Sequence, residues 1–282
     1  MIRWSKWLGV LGLFLPLSVI AQDEDIYSYE KSLQYAEYLI KTNQYQPALT
    51  ELDRMIISYP QKDTLKIMYA NTCYTAGRYR QGAQKIREWY LLADMPMPFS
   101  LTLKYSYLLL EQDSFSALSE FIDTASGLLP AYHINYRFNN ALLTENWQKA
   151  DSLATTTLMR QSDKYTKHIQ LLNEGRNLKY KKPFLAGLYS GIVPGLGKVY
   201  AKDAKDGIYG FLTVAIPAFS AYRGFAKRGN ESVYGWVNLG LASFFYVGNI
   251  YGAVRSAKQF NKNTKDAYRK KVKNNIYNYR LY

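Results

Sequence analysis

Between residues 28 and 170 the hydrophobic and small residues recur at helical spacing, and the pattern itself repeats after 34 positions. The clearest copies are AEYLIKTNQYQPAL, residues 36–49, and ANTCYTAGRYRQGA, residues 70–83. In both, a small residue stands nine positions before a tyrosine, and another small residue follows that tyrosine after three positions. Proline-containing segments (YPQKD, DMPMP, LLPAY) separate the copies. We therefore predict pairs of helices whose small residues permit close approach, with the aromatic filling the space between pairs.

Two later copies keep the pattern less strictly. In the third, Ser106 stands nine positions before Phe115. In the fourth, Trp147 is followed by Ala150, but Phe138 occupies the position of the small residue. The spacing between successive aromatics changes to 36 and then to 32 positions. Four helix pairs are enough for a stacked array, so we predict a helical repeat domain over residues 22–175.

This pattern resembles the tetratricopeptide repeat, a 34-residue unit of two antiparallel helices. The resemblance implies an all-α chain with a solenoid of helical hairpins whose concave face binds a protein or peptide. The positions that it places on that face are Glu37, Asn71, Tyr74, Tyr107 and Asn139. The alternative interpretation of the same residues is that they are solvated or pack within the repeats.

Beyond residue 206 the pattern changes to long uncharged segments. Residues 208–222 and 232–254 contain no charged side chain, and the second is long enough to cross a bilayer core of about 30 Å. We predict a membrane-embedded helical hairpin over residues 207–256. Helix packing is expected at Gly248, Asn249 and Gly252, two of which are spaced as G-x-x-x-G. Other polar residues in these segments are Asn238, Ser220 and Ser243.

The stretch SGIVPGLGKVY, residues 190–200, resembles a phosphate-binding loop only at first sight. Five residues separate its outer glycines where four are required, and a valine follows the lysine in place of serine or threonine. Residues 183–197 are apolar but broken by glycine and proline, which favours an interfacial or re-entrant helix within residues 176–206; a third crossing is the alternative. The stretch also resembles a P-G-x-G-[QK]-x-Y turn found in Bacteroidota-type exported membrane domains of uncharacterised activity. The matching residues are Pro194, Gly195, Gly197, Lys198 and Tyr200.

The first 21 residues have the composition of a secretory signal. Arg3 and Lys6 precede an apolar run, and Val19 and Ala21 fit the small-residue rule for cleavage before Gln22. An uncleaved anchor is the alternative. Either way, we expect the predicted repeat domain to lie outside the cytoplasm, in the bacterial cell envelope. Uncharged helices favour the inner membrane.

The net charge of +14 is concentrated at one end of the chain. Residues 1–180 contain 19 Lys or Arg and 18 Asp or Glu, whereas residues 181–282 contain 17 and 4. The basic, aromatic tail, residues 257–282, is expected to bind anionic lipid head groups; nucleic acid is not an expected partner. Two crossings place this tail on the side of the repeats, and three place it in the cytoplasm.

Few residues are candidates for chemistry. The chain has one cysteine, Cys73, predicted to be a buried thiol, and two histidines, His133 and His168, predicted to lie on helix surfaces. We find no spacing typical of a catalytic or metal site, so we predict no enzyme activity, no cofactor and no metal. The predicted function is a membrane-anchored scaffold whose repeats face the periplasm and bind an envelope protein or peptide. The alternative is a membrane assembly or transport component whose glycine-rich helices associate into a homo-oligomer.

Overall fold

A computed structural model describes residues 27–125, 128–161 and 165–278. Helices and their connections make up these ranges, and no strand occurs within them, which confirms the all-α prediction. The predicted signal peptide, residues 1–21, lies outside the described residues. The chain divides into two compact units, Met1–Arg78 and Tyr79–Tyr282.

The first unit contains three helices that pack in chain order. They are α1 (Tyr29–Lys41), α2 (Tyr45–Ser58) and α3 (Asp63–Thr75). Their core contains Leu39, Leu52, Met55, Leu65 and Tyr69, all of which are buried. The thiol of Cys73 lies in the same buried layer, as predicted.

The second unit begins with a layer of helices that we call the repeat layer of this unit. It contains α4 (Tyr79–Ile86, continued by a π-helical turn Arg87–Leu91), α5 (Phe99–Glu111), α6 (Phe115–Thr124), α7 (Pro130–Leu143), α8 (Trp147–Ala154), α9 (Thr157–Arg160) and α10 (Tyr165–Arg176). Consecutive helices from α4 to α9 contact one another, and α10 contacts α7 and α8.

The four aromatic residues of the sequence repeat have one structural role. Tyr45, Tyr79, Phe115 and Trp147 are the first residues of α2, α4, α6 and α8. The residues nine positions earlier, Ala36, Ala70, Ser106 and Phe138, are each fully buried in the preceding helix. The repeat positions therefore mark equivalent places in four helical segments.

The turn before each of these aromatics has the same backbone. The residues two positions before them are Asn43, Gly77, Asp113 and Glu145, with φ between 54° and 69°. In each case the next backbone N–H bonds the carbonyl five residues earlier, at 2.8–3.0 Å. This left-handed residue at a helix end is the usual C-terminal cap, and it normally favours glycine. Three of the four positions are not glycine, so the sequence signal for this turn is weak.

The remaining helices of the second unit form a separate bundle. They are α11 (Pro183–Ile192), α12 (Leu196–Tyr200), α13 (Ala204–Arg228) and α14 (Val233–Tyr277), with a 3-10 turn Gly229–Glu231 before α14. The predicted boundary at residue 256 between hairpin and tail falls inside α14, which continues for 45 residues without a break.

Helices α13 and α14 form an antiparallel hairpin. Asp203 bonds Ser256 just before α13, Gly210 bonds Asn249 in the middle, and Gly224 meets Gly235 at the far end. The buried positions of α13 are mostly small and follow a heptad spacing, as do those facing them on α14. They are Gly207, Gly210, Val214, Ala221 and Gly224 on α13 and Gly235, Ala242 and Asn249 on α14. Small residues let the two backbones approach closely.

The large apolar residues of this hairpin face outward. They include Ile208, Tyr209, Ile216, Phe219, Tyr222, Val237, Phe244, Val247 and Tyr251, each at least 57% exposed. Among the described helices, α14 alone is long and apolar enough to cross a membrane by length and composition; α13 is long enough but less apolar, and α11 is too short.

Candidate functional site

The glycine-rich turn joins α11 to α13 through backbone contacts that exclude larger side chains. Pro194 and Gly195 make the turn itself, and Gly195 has φ +86°. A Cβ atom on Gly195 would lie 2.0 Å from the carbonyl oxygen of Gly207, and one on Gly197 would lie 1.8 Å from that of Ala186. The glycines are therefore required by close packing of α11, α12 and α13.

Lys198 and Tyr200, the other motif residues, attach this turn to its neighbours. The aliphatic end of the Lys198 side chain lies against Gly252 of α14. The hydroxyl of Tyr200 accepts a hydrogen bond of 3.1 Å from the backbone N–H of Lys182, and the Lys181 ammonium lies 4.5 Å from the Tyr200 ring centroid. The motif thus holds α11 and α12 together where they pack on α14.

Helix α11 is short, and the chain reverses direction after it. Its beginning is held at Asn261, whose side chain bonds both the N–H and the carbonyl of Lys181. Near its end, Tyr246 donates its hydroxyl proton to the carbonyl of Gly191. The 15 residues of α14 between these contacts rise about 22 Å. The chain returns through α12, where Asp203 accepts a hydrogen bond from Ser256.

The C-terminal part of α14, residues 265–277, lies against the repeat layer of its own unit. Tyr268, Val272 and Ile276, spaced four apart, form a stripe that is at most 2% exposed. The Tyr268 hydroxyl donates to the carbonyl of Leu171 at 3.0 Å. Gly175 leaves space for this ring, because a Cβ there would lie 2.3 Å from the Tyr268 oxygen. Of the residues predicted as a basic tail, 257–277 therefore belong to α14, and those from 265 onward are docked on the repeat layer.

Two of the residues predicted to line a partner groove contact this docked helix. The ring of Tyr107 on α5 packs edge-to-face on Tyr277, with centroids 5.0 Å apart. Asn139 on α7 is fully buried, and its Oδ1 accepts a hydrogen bond of 3.1 Å from Asn275. The structure brings these two residues together under a segment of the same chain.

Asn139 belongs to a buried polar network. Its amide donates to the carbonyl of Asn135 at 2.8 Å and also reaches the side chain of that residue. His168 on α10 lies 3.0 Å from the Asn135 side-chain oxygen through its Nε2. The prediction that His168 is a surface residue is wrong: it is fully buried, because α7 and α10 pack together there. His133 is half-buried, and its Nε2 lies 3.3 Å from the carbonyl oxygen of Ala125.

Ion pairs surround the docked stripe. Lys273 lies 3.0 Å from Asp113 and 3.9 Å from Glu111, Lys271 pairs with Glu174, and Lys265 pairs with Glu145. Tyr277 also donates its hydroxyl proton to Glu111. Asp113 and Glu145 are the left-handed turn residues described above, so two of the repeat turns present acids to the basic helix.

Two phenols in this interface are strongly affected by their surroundings. Burial raises the pKa of Tyr136 well above its ordinary value, and the neighbouring phenols of Tyr107 and Tyr277 add to the effect. Burial also raises the pKa of Tyr268, with the carboxylates of Glu174 and Glu145 contributing. Burial therefore keeps both phenols protonated at a pH where an exposed tyrosine begins to ionise.

The first unit contains a groove of about 330 Å³ between α1 and α3. Glu37 and Asn71, two more of the predicted groove residues, line it. Its apolar lining includes Ile40, Ile67 and Met68. Tyr74, the fifth predicted residue, is half-buried on α3 and does not line this groove.

The residues predicted for helix packing in the hairpin have different environments. Asn249 is buried and donates to the carbonyl of Gly210 at 3.2 Å, so it joins the two helices. Gly252 lies against Lys198, whereas Gly248 has open space around its Cα. Asn238 bonds the carbonyl of Tyr234 in its own helix. The closest approaches are made instead by Gly210, Gly224 and Gly235.

No cluster of three or more His, Cys, Asp or Glu residues suited to a metal ion occurs in the part of the chain that the structure describes. The docking of α14 on the repeat layer was missed by sequence reasoning, although the four-residue spacing of Tyr268, Val272 and Ile276 is a signal for one buried face. Comparisons of the chain with protein-family models, with curated proteins and with solved structures found no match.

Proposed function

We propose that this protein is a membrane-anchored scaffold of the bacterial cell envelope, with tetratricopeptide-like repeats facing the periplasm. The observation that carries the proposal is the packing of the α13–α14 hairpin, which is the reverse of that in a water-soluble protein. Its buried positions are mainly glycine and alanine, while its aromatic and branched residues face outward. A large exposed apolar surface of this kind requires lipid or another protein to cover it. The small-residue interface is typical of helices packed within a bilayer.

The lengths of the elements support this arrangement. From the contact at Asp203 to that at Gly224, α13 rises about 31 Å, close to the thickness of a bilayer core. From Ser256 to Tyr246, where α11 ends, the depth is about 15 Å, roughly half that thickness. A re-entrant α11 and α12 beside a two-helix crossing account for these distances.

The docked half of α14 supports two crossings over three. Lys273, Asn275 and Tyr277 bond residues of α5, α7 and the turn after α5. Three crossings separate these groups by a bilayer, whereas a hairpin keeps them on one side. The repeat layer of the second unit is thereby attached to the membrane helix without a flexible linker, because residues 233–277 form one helix.

A pair of cysteine variants tests this topology in the full chain. Lys270→Cys on the docked half and Asn230→Cys at the hairpin turn are each made in a Cys73→Ala background. On intact cells, an impermeant maleimide should label Lys270→Cys at once and Asn230→Cys only after the inner membrane is permeabilised. Labelling of both in intact cells contradicts the crossing, and the reverse pattern contradicts the periplasmic orientation.

The groove between α1 and α3 is the proposed partner surface. Its mixed apolar and polar lining suits a short peptide segment, since stacked helical repeats bind along such faces. A photo-crosslinking residue in place of Met68, which lines the groove, should give a defined adduct in cells. The same residue in place of Gln34, an exposed position of α1 outside the groove, should not. Equal adducts from both positions contradict the groove.

One observation favours the second candidate function, an assembly whose glycine-rich helices associate. Gly240 and Gly248 lie on an exposed face of α14 with nothing within 4 Å of a Cβ placed there. Close helix contact between copies of the chain uses faces of this kind. Leucine at both positions should convert an oligomer to a monomer in detergent, as measured by light scattering. An unchanged mass contradicts this candidate.

A further inference from the structure

We propose that the turn of the α13–α14 hairpin binds the phosphate-bearing head group of an anionic phospholipid. The proposal rests on the membrane hairpin proposed above and gives its far end a ligand. The site is a cavity of about 450 Å³ where α13 ends and α14 begins. Its lining includes Arg223, Lys227 and Arg228 together with one acid, Glu231.

These three basic side chains are available to an anion. All three are exposed, and among the residues that the structure describes none is ion-paired with a carboxylate. The first N–H groups of α14, at Val233 and Tyr234, border the same cavity and have no partner within their own helix. Guanidinium, ammonium and backbone N–H groups are the donors that phosphate oxygens accept from.

The turn that carries these groups is held in place. The indole N–H of Trp236 donates to the carbonyl of Asn230 at 2.9 Å, and its ring packs edge-to-face on Phe225 at 5.3 Å. The hydroxyl of Ser232 accepts a hydrogen bond from the N–H of Gly235 at 3.0 Å. The cavity is therefore a defined feature of the hairpin.

The cavity lies at the position along the hairpin where the head groups of a bilayer are expected. Gly224, which borders the cavity, lies about 31 Å along α13 from Asp203, at the other end of the predicted crossing. Tyr222, Tyr234 and Trp236 around it are each more than half exposed, and such aromatics prefer the membrane interface. A lipid phosphate in the leaflet opposite the repeats is thus at the right depth, which favours a lipid over a soluble phosphate ester.

The basic tail is the weaker candidate for lipid binding. Its Lys265, Lys271 and Lys273 are paired with carboxylates of the repeat layer. Removing them from those partners to reach a membrane would break the docked interface. The expected lipid contact therefore moves from the tail to the hairpin turn.

The test uses the full chain in a neutral detergent, with retained adducts counted by native mass spectrometry. The probes are dioleoyl phosphatidylglycerol, dioleoyl phosphatidylcholine and glycerol 1-phosphate. The variant is Arg223→Gln, Lys227→Gln, Arg228→Gln. A matched control loses three charges at exposed sites elsewhere: Lys149→Gln, Lys167→Gln, Lys270→Gln. We expect phosphatidylglycerol retention to fall at least tenfold in the variant and to be unchanged in the control.

Each other outcome overturns the proposal. Equal loss in variant and control means attraction by net charge alone, and unchanged retention in the variant means no site at the turn. Turn-dependent binding of glycerol 1-phosphate as strong as that of the lipid replaces a lipid site by a soluble phosphate site. Membrane fractionation of both variants separates this failure from failure of the proposed function. If both remain in membranes, the hairpin stands and only the head-group site is lost.

Discussion

Two parts of the molecule carry the predicted groove residues, and they differ in what covers those residues. In the first unit, Glu37 and Asn71 line an open groove between α1 and α3. In the second unit, Tyr107 and Asn139 lie under residues 275–277 of the chain's own C-terminal helix. The repeat pattern does not distinguish these positions, yet Asn71 is exposed and Asn139 is fully buried.

The difference shows that residues at the predicted groove positions need not contribute equally to the stability of the fold. An exposed asparagine exchanges hydrogen bonds with water, so its removal costs little. Removal of the buried Asn139 side chain takes away the acceptor of the Asn275 amide and a second donor to Asn135. The contrast can be measured as local opening free energies, by hydrogen exchange on the full chain in detergent.

The largest effect is expected from a charge in the docked stripe. Val272→Asp buries a carboxylate at a fully buried position and should cost about 3 kcal/mol or more. Exchange protection should fall across α5, α7 and α10 and remain unchanged across α1–α3. Ala267→Asp, at an exposed position of α14, is the control. Unchanged protection in α7 means that the docked helix is not part of the native state.

A smaller effect is expected from filling the space beneath Tyr268. Gly175→Ala places a Cβ against that ring and against Trp147, which should cost about 1–3 kcal/mol by overpacking. Gly248→Ala, in open space on α14, should be neutral or stabilising by about 0.5–1 kcal/mol because alanine is the better helix former. Equal effects at both positions would mean that no close contact exists at Gly175.

The contrast between the buried Asn139 and the exposed Asn71 is tested most directly by replacing each with alanine. Asn139→Ala should destabilise the docked helix by about 1–3 kcal/mol, since Asn275 and Asn135 lose buried partners. Asn71→Ala should change the stability of the first unit by less than about 0.5 kcal/mol. A large cost at Asn71 would show that its groove is also filled by a segment of the chain.

Alkaline pH should release the docked helix. The pKa values of Tyr268 and Tyr136 are raised by burial, so the folded state keeps protons that the unfolded chain loses. This stability is fully present below the unfolded pKa of about 10 and falls as pH rises above it, by at most about 1.4 kcal/mol per pH unit for each phenol. Tyr268→Phe should reduce the slope above pH 10. A slope equal to that of the unmodified chain contradicts the role of Tyr268.

The smallest effect is expected from the ion pairs at the edge of the interface. Lys273→Gln removes contacts with Asp113 and Glu111 that are partly exposed, and should cost about 0.5–1 kcal/mol at low salt. The cost should decrease as salt screens the charges. Lys270→Gln, on the exposed side of the same helix, is the control and should change nothing measurable. A salt-independent cost would assign the effect to packing of the lysine stem.

Part of this architecture was predictable because local rules determine it. The aromatics at Tyr45, Tyr79, Phe115 and Trp147 were singled out by spacing alone, and each begins a helix. The spacing of the glycines near residues 195 and 197 argues against a nucleotide-binding loop. In the structure, both residues must be glycine because a Cβ atom would clash with a backbone carbonyl group. The buried position of His168 was not predictable, because it depends on a partner 33 residues away, Asn135.

The helices and the uncharged segments could be predicted from the chain alone, because they depend on periodicity and composition within a few turns of one helix. The docking of residues 265–277 on the repeat layer became apparent only in the fold. That segment is basic and aromatic, and such a composition suits a lipid surface and an acidic groove equally well. Which of the two surfaces it binds depends on where Asp113, Glu145 and Glu174 lie in space. Their ion pairs with the helix join residues more than 90 positions apart in the chain.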